Sequence, residues 1–215
     1  MRCTVFGLVL TALTVAGDAL AEPPPLQTEA DEYTRYELLD PATASFRITY
    51  EVTATTPGAT AFFNPIRKGS TATDEAVVDR LTGKPLGFDI VPGATARAGG
   101  LADADLDTSY IRITLARPVP KDGEARLLIL KTYRDPKSYF PEGDTIVFSR
   151  SLGIKRNAVV LPVGYEVVAC NYPSQVFAEP VTPLVGGVFL TRLRLSFMNI
   201  GPDAVSYVVK ARRIK

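Results

Sequence analysis

The chain has 215 residues, with 24 Lys and Arg against 23 Asp and Glu, and 46% of its residues are hydrophobic. This composition excludes a disordered chain, a collagen and a coiled coil, and it is typical of a globular protein. The sequence contains no histidine, which excludes a Ser-His-Asp triad, a Cys-His pair and an HExxH zinc site. Because the net charge is only +1 and the basic residues are scattered, we expect no nucleic-acid partner.

The N-terminus has the pattern of a secretory signal peptide. Arg2 supplies a positive charge, residues 4–16 are apolar, and Ala19-Leu20-Ala21 is a small-x-small cleavage pattern. The apolar run has about 13 residues, whereas a helix that spans a bilayer needs roughly 20. We therefore expect cleavage after residue 21, export to the periplasm or the exterior, and no transmembrane segment after the signal. An uncleaved N-terminal anchor is the alternative.

The remaining chain divides into two parts. Residues 22–32 are rich in proline and acidic residues, which predicts an extended leader, and residues 33–215 are predicted to form a single domain. Cys170 is the single cysteine after residue 21, so no disulfide can form within the mature chain. We interpret Cys170 as a small buried side chain, and a disulfide to a partner chain is the alternative.

Apolar residues alternate with polar ones along most of the domain. This period of two predicts half-buried strands at residues 46–53, 110–115 and 193–197. Continuous apolar runs at residues 127–130, 146–148, 158–161 and 165–169 predict central strands, or strands that cross from one sheet to another. Residues 121–124 (KDGE) are predicted to turn a hairpin between residues 115 and 127. About eleven such strands without a convincing helix predict an all-β antiparallel β-sandwich, with a barrel as the alternative.

Residues 92–107 are predicted to form a long loop of small and acidic residues. Within it, Asp103, Asp105 and Asp107 form the D-x-D-x-D opening of a calcium loop. Thr108 stands where such a loop has its glycine, and Thr114 where it has its closing glutamate. A solvated acidic loop is therefore the favoured interpretation, and a calcium-stabilised structural module is the alternative.

Two further loops, 134–144 and 150–157, combine aromatic and basic residues in the composition of a binding hot spot. The strand end at residues 62–65 (FFNP) is a predicted neighbour of these loops. The alternative is that the two aromatic side chains fold inward and cover one end of the sandwich. The predicted ligand-binding residues are Lys137, Tyr139, Phe140, Arg150, Lys155 and Arg156.

Two other groups of charged residues are weighed for function. The C-terminal tail carries Lys210, Arg212, Arg213 and Lys215, which predicts either contact with an anionic surface or a solvated edge strand. A hydrolase that acts through carboxylates alone would require two acidic groups to meet in a cleft. The acids named for that alternative are Glu124, Glu142, Glu166 and Glu179.

The segment 161–166 (LPVGYE), together with the order of strands after an exported leader, resembles the N-terminal β-sandwich of M1-type metallopeptidases. It is similar also to stand-alone exported bacterial β-sandwich proteins, and the likeness extends over residues 35–212. Because HExxH is absent, the resemblance implies neither peptidase activity nor zinc, but a recognition or scaffold module. We therefore expect a non-enzymatic exported module without a cofactor, which binds a protein, a peptide or an envelope component through its end loops.

Overall fold

The computed structural model describes residues 24–181 and 190–214, which form fourteen β-strands, one short α-helix and one 3₁₀ turn. The prediction of an all-β fold is confirmed. The helix α1 is Gly93–Ala98, and the 3₁₀ turn is Pro41–Thr43. The strands are β1 (Glu29–Leu38), β2 (Ser45–Ala54), β3 (Ala61–Pro65), β4 (Thr71–Asp79), β5 (Phe88–Pro92), β6 (Ser109–Thr114), β7 (Ala125–Arg134), β8 (Tyr139–Glu142), β9 (Thr145–Leu152), β10 (Arg156–Val160), β11 (Tyr165–Cys170), β12 (Gln175–Pro180), β13 (Thr191–Met198) and β14 (Val205–Arg213).

The strands form three open sheets. The largest has seven strands in the order β12-β13-β10-β1-β2-β7-β4, and β1 and β10 at its centre are parallel while its other pairs are antiparallel. A four-stranded sheet has the order β11-β14-β9-β8, and a three-stranded sheet has the order β3-β6-β5. None of the three closes on itself within the described residues, so the sandwich forms and the closed alternative does not.

The two smaller sheets cover the inner face of the seven-stranded sheet. Phe148 of β9 lies against Phe46 of β2 with ring centroids 5.4 Å apart, and against Tyr36 of β1 at 5.5 Å. The three-stranded sheet contacts the same inner face, where Lys131 of β7 donates a hydrogen bond to Asn64 of β3 at 2.6 Å. The three sheets therefore meet over β1, β2 and β7, and a large cavity lies at this junction.

Burial follows the sequence pattern in the strands of the core. In β2 the side chains of Phe46, Ile48, Tyr50 and Val52 are buried, as the alternation predicts. Residues 158–161 are buried on both faces, which confirms a central strand there. Residues 165–169 do not form one, because β11 is an edge strand and Val168 is half exposed.

Several local predictions differ from the structure. Residues 121–124 do not turn a hairpin, since β6 and β7 belong to different sheets and the segment crosses between them. The stretch 92–107 contains α1, and the loops 134–144 and 150–157 contain β8 and the end of β9. Part of the predicted leader belongs to the folded domain, because β1 begins at Glu29. The side chain of Gln27 also donates a hydrogen bond to the carbonyl of Phe63 and accepts one from its N–H.

Candidate functional site

Tyr139, the first of the two aromatic residues predicted to bind a ligand, does not lie on the surface. The Tyr139 side chain is completely buried, and its hydroxyl donates a hydrogen bond to the carbonyl of Leu39 at 2.9 Å. Burial raises the pKa of this hydroxyl further above its ordinary value. Phe140 is half-buried on the same short strand. The inward-folded alternative therefore describes Tyr139, because β8 pairs with β9 and turns this ring into the core.

The four predicted basic residues do not converge on one surface. Lys137 and Arg150 both line a cavity of 320 Å³, but Lys137 is exposed whereas Arg150 is buried in β9. Lys155 is exposed in the short connection before β10. Arg156 lies beside β1, where it donates to the carbonyls of Asp31 at 2.7 Å and Glu32 at 3.2 Å.

The three predicted metal ligands differ in their contacts. Asp105 accepts hydrogen bonds from the backbone of Asp107 at 2.9 Å and from the hydroxyl of Thr108 at 3.1 Å, and these bonds lower its pKa. Asp107 is exposed and faces Lys68 at 3.6 Å. Within residues 24–181 and 190–214, no three acidic or cysteine side chains are grouped as metal ligands would be. Asp103 and Asp105 instead line the cavity at the junction of the three sheets.

The acids considered for a hydrolase are distributed over the surface, each beside a cation. Two of these cations belong to the basic tail, since Lys210 pairs with Glu142 and Arg212 with Glu166. The tail strand β14 is an internal strand rather than an edge, because it lies between β11 and β9. Lys215 falls outside the described residues. The remaining acids, Glu124 and Glu179, pair with Arg126 and with Arg35 and Arg192.

Cys170 is half-buried at the end of β11. Its sulfur lies 3.2 Å from the carbonyl of Tyr172 and 3.4 Å from the hydroxyl of Tyr207. The thiol thus contacts polar groups in the wall of a cavity of 460 Å³, while the residue also packs against the margin of the apolar core. Both interpretations of Cys170 stay predictions.

A cavity of 560 Å³ lies at the junction of the three sheets. We call it the central cavity. The large sheet contributes β1, β2 and β7 to its wall, the three-stranded sheet contributes β3, and the four-stranded sheet contributes Arg150. Charged residues of both signs line it: Glu29, Glu32, Asp103, Asp105, Arg67, Lys68, Lys131 and Arg150.

Lys131 is the most unusual member of this wall, because its ammonium group is buried without an ionic partner. Only 5% of the residue is exposed. Its Nζ donates to the side-chain oxygen of Asn64 at 2.6 Å and to the carbonyl of Pro65 at 3.3 Å, and it forms no ion pair within the described residues. Burial, reinforced by the charge of Arg150, lowers the pKa of Lys131 to about 7. A buried ammonium without a counter-charge is costly unless an anion approaches it.

The opposite end of the central cavity is acidic. Glu32 accepts a hydrogen bond from the hydroxyl of Tyr50, and Glu29 and Asp103 stand nearby. Although Glu29 belongs to the exposed rim, partial burial and the charges of Glu32 and Asp103 raise its pKa to about 7. Carboxyl groups that crowd in this way attract a cation, or they share protons.

The strand register sets the distance between the two ends. Tyr36, Ile48 and Lys131 lie in one row across β1, β2 and β7. Glu32 precedes Tyr36 by four residues on β1, which corresponds to at most roughly 13 Å along a strand, because the irregularity between Ala30 and Tyr33 shortens the rise. The central cavity therefore has a cationic end and an anionic end separated by the length of a short extended peptide.

The sequence contains one signal for the cationic end and none for the acidic end. In β7 the inward positions are Leu127, Ile129, Lys131 and Tyr133, so Lys131 interrupts an apolar alternation. Glu29 and Glu32 are three residues apart, which would place them on opposite faces of a regular strand. A β-bulge between Ala30 and Tyr33 changes the facing, and Asp31 adopts a positive φ of 51° there. No sequence pattern predicts this bulge.

Comparison with solved structures finds M1 zinc metallopeptidases. The enzyme from Deinococcus radiodurans has a TM-score of 0.48 and 9% identity, and the match covers 87% of this chain and 42% of that chain. A mutant of the enzyme bound to a Tyr-Ser-Ala substrate gives a TM-score of 0.47 at the same identity and coverage. No protein-family model and no curated protein matches. The resemblance to this class is confirmed at low identity, and it concerns the fold alone.

The chain spans less than half the length of these enzymes. In the part of the chain that the structure describes, no helix is long and apolar enough to cross a membrane.

Proposed function

We propose that the protein is an exported binding module whose ligand is a short peptide or a peptide end held in the central cavity. In this proposal the carboxylate of the ligand contacts Lys131, and the amine of the ligand lies between Glu29 and Glu32. The observation that supports it above all is the buried ammonium of Lys131, which has no counter-charge within the described residues and opens onto a cavity of 560 Å³. A ligand carboxylate would supply that charge through a charge-assisted hydrogen bond.

The proposal moves the ligand away from the end loops that the sequence suggested. Tyr139 is buried and Lys155 lies apart, whereas Phe63, Asn64 and Pro65 of the predicted neighbouring strand line the central cavity. Strands of all three sheets line the central cavity, and a site that is ordered before binding loses less entropy when a ligand is bound.

The test is calorimetric titration with trialanine, N-acetyl-trialanine and trialanine amide. We expect saturable binding of trialanine at pH 7, where the Lys131 ammonium and the Glu29 carboxylate are each about half charged. Blocking either end should weaken binding about tenfold, which corresponds to one charge contact. Equal binding of all three peptides, or no saturation with any, would refute the proposal.

Matched variants assign the effect to the cavity. Glu29→Gln and Lys131→Met should each lower the affinity for trialanine about tenfold. The controls Glu124→Gln and Lys84→Met change the same charges on exposed residues outside the cavity and should leave the affinity unchanged. A loss of affinity in the controls as large as in the cavity variants would contradict the assignment.

A carboxylate-dependent hydrolase remains a second candidate, and the raised pKa of Glu29 favours it. A carboxyl group that is half protonated near pH 7 beside a second carboxyl group is suited to general acid–base work. Mass spectrometry of trialanine incubated with the protein would detect cleavage. If the native protein forms product and the Glu29→Gln variant forms none, the hydrolase is supported. If the peptide stays intact after prolonged incubation with the native protein, the hydrolase is excluded for this substrate.

A further inference from the structure

A second cavity, of 320 Å³, lies between the end of β9 and the connection from β7 to β8. We call it the serine cavity. Its wall combines several cations with serine hydroxyls, and Asp135 is the one acidic residue in the wall as described. The lining residues are Arg67, Lys68, Gly69, Asp135, Lys137, Ser138, Ser149, Arg150, Ser151 and Ser206.

The carboxylate of Asp135 is already occupied by the protein. One of its oxygens accepts from the hydroxyl of Ser138 at 2.7 Å and from Nη1 of Arg150 at 3.1 Å. The backbone of Ser138 donates to the other oxygen at 3.1 Å. Asp135 and Arg150 are both more than nine-tenths buried, so they form a fixed neutral pair at the base of the serine cavity.

The other cations of the wall are left with little compensation. Neither Arg67 nor Lys137 forms an ion pair in the part of the chain that the structure describes, and Arg67 donates only from Nη1 to the carbonyl of Ser151 at 3.2 Å. Lys68 reaches Asp107 at 3.6 Å, but both side chains are mostly exposed. Such a surface pair is screened by solvent, so the serine cavity keeps an excess of positive charge.

Three serine residues complete the wall, and they share the face of β9 and β14 that is opposite to Arg150. Ser151 of β9 and Ser206 of β14 are direct partners in the antiparallel ladder, and Ser149 precedes Ser151 by two residues on the same strand. None of these three hydroxyls has a hydrogen-bond partner within residues 24–181 and 190–214. Hydroxyl donors between a guanidinium and an ammonium are the groups that hold the oxygens of a phosphate or sulfate.

We propose that the serine cavity is a binding site for a tetrahedral oxyanion, such as the phosphate or sulfate group of a ligand. Arg67 and Lys137 supply the charge, and the hydroxyls of Ser149, Ser151 and Ser206 supply oriented donors. The serine cavity adjoins the central cavity, because Arg67, Lys68 and Arg150 line both, whereas Lys137 and the three serines line the serine cavity alone.

Titration with inorganic phosphate and with sulfate at low ionic strength tests the site. We expect saturable binding with a dissociation constant below about 10 mM. Lys137→Ala should weaken phosphate binding about tenfold, and Ser149→Ala about threefold, because each variant removes one contact. The control Lys155→Ala removes an exposed cation outside the serine cavity and should leave phosphate binding unchanged. An equal loss in the control would mean diffuse charge and would overturn the proposal, as would no saturation with either anion.

Two further measurements separate the sources of the anion and the two sites. Binding of the protein is measured to vesicles that contain phosphatidic acid and to vesicles of phosphatidylcholine alone. Binding to the former only, which Lys137→Ala abolishes, would identify a lipid headgroup as the source of the anion. Binding of free phosphate without vesicle binding indicates a soluble phosphorylated ligand. Lys137→Ala should leave trialanine affinity intact, and Glu29→Gln should leave phosphate affinity intact. Failure of the peptide proposal would therefore not affect this result.

Discussion

Arg150 and Lys131 are cations at strand positions whose neighbours in the alternation point into the apolar core. In β9 the side chains of Ile146, Phe148 and Leu152 share the inward face with Arg150. Its guanidinium is surrounded by aromatic rings, including that of Phe46 at 5.3 Å. Burial at such a position is tolerated only because Asp135 neutralises the charge and rings contact its faces.

Removal of the Asp135 charge should therefore destabilise the fold strongly. Although burial would raise the pKa of Asp135, hydrogen bonds from Ser138 and the charge of Arg150 outweigh it and lower the pKa. Asp135→Asn keeps the size of the side chain but leaves Arg150 buried and unpaired. We expect the free energy of unfolding to fall by about 3 kcal/mol, as measured by urea denaturation.

The matched control is the exposed pair of Asp89 and Arg112, which has two hydrogen bonds of 2.8 and 2.9 Å. Its geometry is at least as good as that of the buried pair, but it lies in water. Asp89→Asn should change the free energy of unfolding by about 0.5 kcal/mol or less. Similar losses in the two variants would show that burial does not decide the strength of the pair.

At the level of elements, α1 is fixed by a close approach of backbone to backbone. A Cβ added at Gly93 would lie 2.0 Å from the carbonyl oxygen of Asp105 and 2.8 Å from the Cα of Leu106. Because these are main-chain atoms, no rotation of a side chain can relieve the clash. The contact holds the segment that carries Asp103 and Asp105 against the central cavity, and both residues line that cavity.

Gly93→Ala should therefore lower the free energy of unfolding by about 1–3 kcal/mol and weaken trialanine binding as the wall is displaced. The control is Gly87→Ala, because a Cβ at Gly87 would meet nothing within 4 Å. That variant should be neutral or slightly stabilising by up to about 1 kcal/mol. Thermal and urea unfolding of both variants give the comparison, and a Gly93 variant as stable as the native protein would contradict the close approach.

The elements differ in how well their sequences predict them. Strand β2 is predictable because Phe46 and Ile48 begin a regular alternation, and its inner face needs no other information. The crossing at residues 121–124 is not, because a turn motif specifies a local bend and not the sheet that the next strand joins. The acidic end of the central cavity depends on the bulge at Asp31, which is a property of the paired strands.

For the whole molecule, the central position of β1 connects distant parts of the chain. It pairs in parallel with β10 and antiparallel with β2, so the seven-stranded sheet cannot be completed before residue 156 has joined residue 33. The central cavity is assembled from the same distant segments. This explains why the site residues are scattered over the sequence and why no compact motif marks them.

The lack of histidine makes the pH dependence of stability unusually simple to interpret. Glu29 has a pKa of about 7 in the folded protein and about 4.3 when unfolded. Between these values the folded state binds more protons, so the free energy of unfolding falls as the pH rises from about 5 to 7. Lys131 has a pKa of about 7 folded and about 10.4 unfolded, so above pH 7 the unfolded state binds more protons and stability rises again.

We therefore expect a minimum of stability near pH 7, measured by urea denaturation at one-unit intervals from pH 5 to 9. Lys131→Met should remove the rise above pH 7, which is at most about 1.4 kcal/mol per pH unit, and Glu29→Gln should flatten the fall below it. Lys84→Met and Glu124→Gln, as exposed controls, should keep both limbs. A native profile that changes in one direction throughout this range would show that the two ends of the cavity do not titrate near neutrality. If the minimum is observed, a zwitterionic peptide that supplies both missing charges should raise stability most at pH 7.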